Sequence, residues 1–314
     1  MPKHASSDAF DLQTGNMQGL AFCEAVASDT TPRYLESDVI APTRTIGLDA
    51  TTTLKATFWD CTIEETPQIG DPSFISIALN TGGGRVWRNR EAAPTDVGAI
   101  AMQPFEGAHW RFENPVSFVH LYVPFSLAGA VCESLFDREL AHAHLQTPSS
   151  VTDDRLCAAA RRIQDGLSRI EPTRLILDSW ALLLSEILVR RFSSHARRHV
   201  RTSHGKIPAR GVARVIDYIE ANIDRDLDLA SLAGVAAMSI YHFARRFKET
   251  VGVSPHAYVL ARRVHRARHM LDRGATNLAQ VAAGCGFCSQ AHLTTMFQRN
   301  VGVTPGEYRR ILAS

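Results

Sequence analysis

The chain has 314 residues, of which 45% are hydrophobic and 21% charged, so it is too long for one hydrophobic core and too apolar to be disordered. Its net charge of +2 conceals a division: residues 206–314 hold 15 Lys and Arg against 8 Asp and Glu, and residues 1–205 hold 19 against 24. A basic module of +7 beside an acidic part of −5 suits a polyanion-binding domain joined to something that does not touch the polyanion.

The stretch from Met1 to Asp11 has no apolar core for a secretory signal, and a cytoplasmic protein is expected. Cys23, Cys61, Cys132, Cys157, Cys285 and Cys288 are scattered, so reduced thiols are the expectation. Short strands are predicted at Ala56 to Ile63, Phe74 to Leu79, Arg85 to Arg88, Val97 to Met102 and Val116 to Val123. The break Asn80-Thr81-Gly82-Gly83-Gly84 reads as a hairpin turn, and many short strands at close spacing read as a small barrel or sandwich. In the last strand Phe118, His120 and Tyr122 share a face that can line a pocket.

From Thr152 the period becomes helical. Thr152 or Asp153 caps a helix to about Ile170, Glu171-Pro172 breaks it, and Thr173 caps a second helix to about Ser193. The second helix is apolar nearly all round, which one barrel face cannot cover, so a second subunit is expected to cover Leu184 and Leu188. Asp178, Ser179, Ser185, Glu186, Arg190 and Arg191 make the same run too polar to span a bilayer. The basic stretch Ser194 to Ala209 lacks an apolar period and reads as a linker.

Beyond it the chain repeats itself. A shift of fifty residues superposes Ser239 on Ser289, Phe247 on Phe297, Val251-Gly252-Val253 on Val301-Gly302-Val303, Pro255 on Pro305 and Tyr258 on Tyr308. Upstream the shift is forty-nine, Leu229 on Leu278 and Ala233 on Ala282, which places one extra residue of the second copy in its turn, at Gly286. Each copy reads as a short helix, a tight turn and a longer helix capped by Ser239 or Ser289, the pattern of a helix-turn-helix.

In the first long helix Ile240, Phe243, Phe247 and Val251 form the buried stripe, leaving Tyr241, His242, Ala244, Arg245 and Lys248 for DNA. In the second, Leu293, Phe297 and Val301 are buried, leaving Gln290, Ala291, His292, Thr294, Thr295 and Gln298 outward. Arg, Gln and Thr pair with base edges or thymine methyls, and here they sit where a helix enters a major groove. Arg245 can make a bidentate contact to guanine, whereas its counterpart Thr295 cannot. Between the copies, a helix from Pro255 to about Asp272 is about 27 Å long, which brings the two reading helices near the ~34 Å spacing of successive grooves. It carries Arg262 and Arg266, which reach phosphates or brace the units through ion pairs.

The stretch LASLAGVAAMSIYHFARRFKETVGVSPHAYVLARRVHRARHML, followed by LAQVAAGCGFCSQAHLTTMFQRNVGVTPGEYRR, resembles the AraC/XylS family of transcription regulators. The resemblance covers about residues 210–312 and implies a monomer reading two adjacent grooves of double-stranded promoter DNA, usually within a ligand-controlled activator that works with RNA polymerase. It departs at Thr294-Thr295-Met296, where an arginine is common, so base reading by that helix is weakened. Gly98, Pro104, Gly107, His109 and Asn114 are similar to a cupin signature, displaced by one at the glycine and asparagine. No histidine lies between His4 and His109, so a metal cupin would lack its ligands, and neither metal, cofactor nor catalysis is expected. Cys285-Gly-Phe-Cys288 has redox spacing but lies in the second turn, where packing accounts for it better, and His142-Ala-His144 reads as surface.

The fold expected is α+β. Residues 1–150 form a degenerate cupin-like β-barrel that senses a small effector, 151–193 a helical dimerisation pair, 194–209 a linker, and 210–314 an all-α double helix-turn-helix. Arg85, Trp87, Arg88, His109, Trp110, Arg111, His120 and Tyr122 are the groups that can line the effector pocket, and the arginines there and at Arg197, Arg198 and Arg201 leave an anionic nucleotide messenger open. Control by a partner protein, or a cupin enzyme fused to a DNA-binding module, are the competing readings of the first half.

Overall fold

The computed structural model describes residues 43–46, 53–196 and 207–312, apart from 63, 69, 92, 114, 170, 171 and 276. Cys23, Asn114, the stretch Met1 to Asp11 and the linker arginines Arg197, Arg198 and Arg201 lie outside the described residues.

Alternating and β-branched runs give strands β1 (Arg44–Ile46), β2 (Lys55–Cys61), β3 (Glu65–Gln68), β4 (Phe74–Gly83), β5 (Val86–Arg88), β6 (Ile100–Met102), β7 (Ala108–Phe112) and β8 (Val116–Pro124). They form two antiparallel sheets, a five-stranded one in the order β1-β2-β8-β4-β6 and a three-stranded one in the order β3-β7-β5. The expected barrel is therefore, among the described residues, two facing sheets without closure into one cylinder. The glycine run also departs from expectation. It carries a register shift between Asn80 and Gly82 where β4 pairs with β8, and then passes the chain to the other sheet, so β4 and β5 are not a hairpin. Gly83 has φ +85 there, and a Cβ on Gly84 would overlap the Glu113 carbonyl, so close backbone crossing is what the glycines serve.

Helix α1 (Phe125–Phe136) follows β8 directly, then α2 (Asp154–Arg169), whose first amides are capped by the Asp153 carboxylate, and α3 (Arg174–Phe192) after Thr173. The large-sheet face bearing Ile75, Ile77, Val119 and Leu121 packs on these helices, and α1 and α3 lie against each other. This corrects the expected cover for the apolar helix. Leu184 and Leu188 are fully buried within a single chain, and of the large apolar side chains on α3 only Leu183 is exposed. Alternate sides of α3 meet the sheet, α1 and the C-terminal helices, so its all-round apolarity needs no second subunit.

The C-terminal part contains α4 (Ala209–Ala221), α5 (Leu229–Val235), α6 (Ile240–Val251), α7 (Pro255–Asp272), α8 (Leu278–Gly284), α9 (Gln290–Val301) and α10 (Pro305–Leu312). The buried residues of α4 to α6 and the start of α7 belong to one hydrophobic cluster with the N-terminal half. Those of α8 and α9 and the end of α7 form a separate cluster of their own.

Candidate nucleic-acid interface

Two helix-turn-helix units are built from the repeat. Side-chain oxygens cap every unit helix: Asp228 for α5, Ser239 for α6, Asn277 for α8 and Ser289 for α9. The long helices end on left-handed glycines, Gly252 at φ 88 and Gly302 at φ 92. Phe243 and Phe247 in α6, and Leu293 and Phe297 in α9, are fully buried; Ile240, Val251 and Val301 are only partly so.

The turns locate the extra residue differently from the repeat alone. Met238 N donates to Ala233 O at 3.0 Å, and Phe287 N donates to Ala282 O at the same distance. The turns thus match at a shift of forty-nine through Phe287, with Ala237 (φ 51) standing where Gly286 (φ 75) stands. The inserted residue is Cys288, just before the Ser289 cap. Its thiol lies 2.9 Å from His292 Nδ1, while Cys285 is buried against Met270.

The outward faces of the two reading helices differ. On α9, Gln290, Ala291, Thr295 and Gln298 are exposed, whereas His292 and Thr294 are partly covered and Met296 is buried. The Thr294 and Thr295 hydroxyls donate to the carbonyls of Gln290 and Ala291, which leaves their methyls and acceptor lone pairs for a ligand. On α6, Tyr241 was expected to face out but is buried: its hydroxyl donates to Glu186 at 3.3 Å and accepts from Arg190 at 3.5 Å, both on α3. Arg245 pairs with Glu249 at 3.0 Å, His242 is partly buried, and Ser239 and Lys248 are exposed.

The connecting helix begins, as its sequence indicates, with Pro255 in the first turn behind the Ser254 cap. Arg262 pairs with Glu220 of α4 and so ties α7 to the helix that precedes the first unit, while Arg266 is exposed. Arg263, which sequence reasoning passed over, is buried and donates to the carbonyls of Ile223 and Arg225. Asp178 of α3 was also missed. Its carboxylate accepts from Leu229 N at 3.1 Å and from the Thr53 hydroxyl, tying the chain just before β2 to the start of the first unit. An acid set among the leucines of an apolar helix was the available signal.

A second candidate site lies between the sheets, in a space of about 410 Å³ counting its open mouth. Of the residues expected to line a pocket, Trp110 and His120 do, and Tyr122 stands beside His120, its hydroxyl 2.9 Å from Nδ1. The others do not: strand alternation puts Arg85, Trp87, His109 and Arg111 on the outer face of the small sheet. There the Arg85 and Arg111 guanidinium groups stand over the Trp87 ring, Arg85 also pairs with Glu113, and His109 lies 3.8 Å from Glu65. Arg88 holds Glu91 and the carbonyls of Met102 and Thr147.

Comparison with known proteins agrees with the geometry of the C-terminal part. Residues 232–311 match the family described as "Helix-turn-helix domain". A putative AraC-like transcription regulator of Streptomyces lividans is 28% identical over 222 residues, 70% of this chain and 72% of that protein. This is a DNA-binding transcription regulator with a helix-turn-helix domain. The probable transcriptional regulator LumQ of Photobacterium leiognathi is 32% identical to it over 33% of this chain, which spans only 42% of LumQ. The solved DNA-binding domain of AdpA in complex with a target DNA is 31% identical to the regulator, covering 32% of this chain and 91% of that one, with a TM-score of 0.31. Among the described residues of the regulator no helix is long and apolar enough to cross a membrane.

Proposed function

We propose that the regulator reads promoter DNA in a sequence-specific manner through both helix-turn-helix units of residues 210–314, with α9 carrying most of the base recognition. The remainder, a cupin-like sensing part in 1–150 and helices in 151–193, responds to a small effector and joins two copies, leading to activation with RNA polymerase and without any catalytic step. The observation that carries this reading is the exposed row Gln290, Ala291, Thr295 and Gln298 on a capped helix, one end of α7 away from its docked counterpart. Exposed His265, Arg266 and Arg268 on α7 supply phosphate contacts. Pairing of two copies uses the α3 side bearing Leu183, since Leu184 and Leu188 are spent inside the chain.

Fluorescence anisotropy of the full chain on labelled duplexes tests this. Affinity should fall steeply with salt as counterions leave several phosphates. Gln290→Ala should cost about 1–3 kcal/mol at one preferred base and leave other sequences nearly unchanged. A flat salt response, or a Gln290→Ala loss equal on every sequence, removes base reading by α9.

A further inference from the structure

We propose that the space between the two sheets binds a small, uncharged aromatic molecule carrying a single hydrogen-bonding group. The proposal rests on the sensing role given above to the N-terminal half and narrows it to a ligand class.

The space has a cause in the strand register. Across the large sheet His120 of β8 pairs with Ala78 of β4, and Ala78 pairs with Ala101 of β6. Two adjacent alanines therefore sit at the centre of a floor whose neighbouring rows are larger, with Phe118 opposite Asn80 and Tyr122 opposite Ser76. The small sheet roofs this gap with Trp110 and Phe112. Alanines facing aromatic rings across two sheets leave room that no side chain of the wall fills. The gap itself is small, about 30 Å³ of free volume within a more open depression, so it takes no more than a single ring.

The chemistry of the walls selects among ligands. Among the described residues no Asp, Glu, Lys or Arg lines the space. Its one titratable group, His120, is held neutral by burial, which pushes it down to about 3. Its neighbours form one hydrogen-bonded chain: Trp59 Nε1 donates to Thr57 Oγ1 at 2.7 Å, and the Tyr122 hydroxyl lies 3.0 Å from Thr57 Oγ1 and 2.9 Å from His120 Nδ1. An ionised ligand would leave water with no counter-charge to meet it. Two of the three amides on the wall are committed to the frame, Asn80 to the carbonyls of Gly84 and Thr95, and Gln103 to the Trp110 indole at 2.7 Å and the Gln68 carbonyl. The Ser76 hydroxyl is not: it is buried, lines the space and has no hydrogen-bond partner. A buried hydroxyl without a partner costs free energy that a ligand hydroxyl or carbonyl would recover. Together the aromatic roof, the uncharged walls and one unanswered hydroxyl describe a phenol-like compound rather than an organic anion.

Three probes on one skeleton test it, p-cresol, toluene and p-toluate, titrated into the full chain by calorimetry. Saturable binding of p-cresol is expected, with p-toluate at least about tenfold weaker because its carboxylate meets no cation. Ser76→Ala should weaken p-cresol roughly five- to tenfold and leave toluene unchanged. Ala101→Leu, which fills the gap, should abolish binding of both neutral probes. p-Toluate binding as tightly as p-cresol, an equal loss of p-cresol and toluene in Ser76→Ala, or no binding of either neutral probe to protein that still binds DNA overturns the proposal. Binding of p-cresol that leaves DNA affinity unchanged would instead keep the ligand class and remove the sensing role.

Discussion

The two helix-turn-helix units have the same local chemistry and different surroundings. Ser239 and Ser289 accept from the amides three residues on, Gly252 and Gly302 end the helices, and Phe247–Tyr258 and Phe297–Tyr308 stack edge-on at 5.7 and 5.5 Å. The first unit nevertheless shares its hydrophobic cluster with the sheet and helices of the N-terminal half, and α3 occupies the Tyr241 side of its reading helix. The buried apolar side chains of the second unit instead cluster with one another and with the end of α7, although its turn comes close to Ile223 and α9 shares a small space with α2 and α3. The motif determines how each helix pair is built; what is packed around it determines whether its outer face remains available.

The strongest way to break that comparison is to remove equivalent core rings. Phe247→Ala and Phe297→Ala should each cost about 3–5 kcal/mol, since both side chains are fully buried. Their reach should differ. By amide hydrogen exchange, Phe297→Ala should lose protection mainly in residues 278–312, whereas Phe247→Ala should loosen α3 and α5 as well. The same pattern of loss in both variants would mean that the two clusters melt as one.

Acid should loosen the start of α7 where it meets α3 and α9. His256 shares a small space there with Trp180, His292 and Met296 and is pushed down to about 4, first by burial and then by Arg263 and His292; the equivalent position in the second copy is Gly306. The unfolded histidine, near 6.5, takes up its proton before the folded one does, so this contribution is complete above about pH 6.5 and declines as pH falls toward 4. Urea midpoints at pH 7 and pH 5 should therefore differ more for the natural chain than for His256→Asn. Equal differences would place His256 in water.

Tyr241→Phe tests the docking of α6. Its hydrogen bonds to Glu186 and Arg190 are long, at 3.3 and 3.5 Å, so about 1 kcal/mol of stability is expected to go with the hydroxyl. Unchanged stability would show that α6 is not held by α3 in solution. A loss in DNA affinity at constant stability would return Tyr241 to the reading face.

The helices of the two units and the one between them were legible because each is punctuated locally. Ser254-Pro255 starts α7, Gly252 and Gly302 end α6 and α9, and a repeat supplies every signal twice. The first half was less so. β3 and β7 carry no apolar alternation strong enough to mark them, and α1 begins at Phe125 straight after Pro124 with no capping side chain. Missing α1 had a consequence, for it is the helix against which α3 lies, and without it the apolar surface of α3 pointed to a second subunit. The cavity was legible only in part: Trp110 and His120 are conspicuous residue types, but Ala78, Ala101 and Ser76 matter through register, which one strand's sequence does not reveal.

The smallest difference between the units lies in their turns. Gly286 has no alternative, since a Cβ there would approach Ile223 O to 2.4 Å and Arg263 Cζ to 2.9 Å at a φ of +75. Ala237 holds the matching position at φ 51, but it is exposed, so its methyl meets water and only the backbone conformation is unfavourable. A left-handed L-residue costs about 1–2 kcal/mol, and glycine's greater freedom in the unfolded chain takes back about 0.4–1 kcal/mol of the relief. Ala237→Gly should accordingly stabilise the protein by about 0.5 kcal/mol, read as a small rise in denaturant midpoint at constant slope. A fall in midpoint would mean that Ala237 leaves the left-handed region in solution, and that the two turns differ in backbone path as well as in the residue inserted at Cys288.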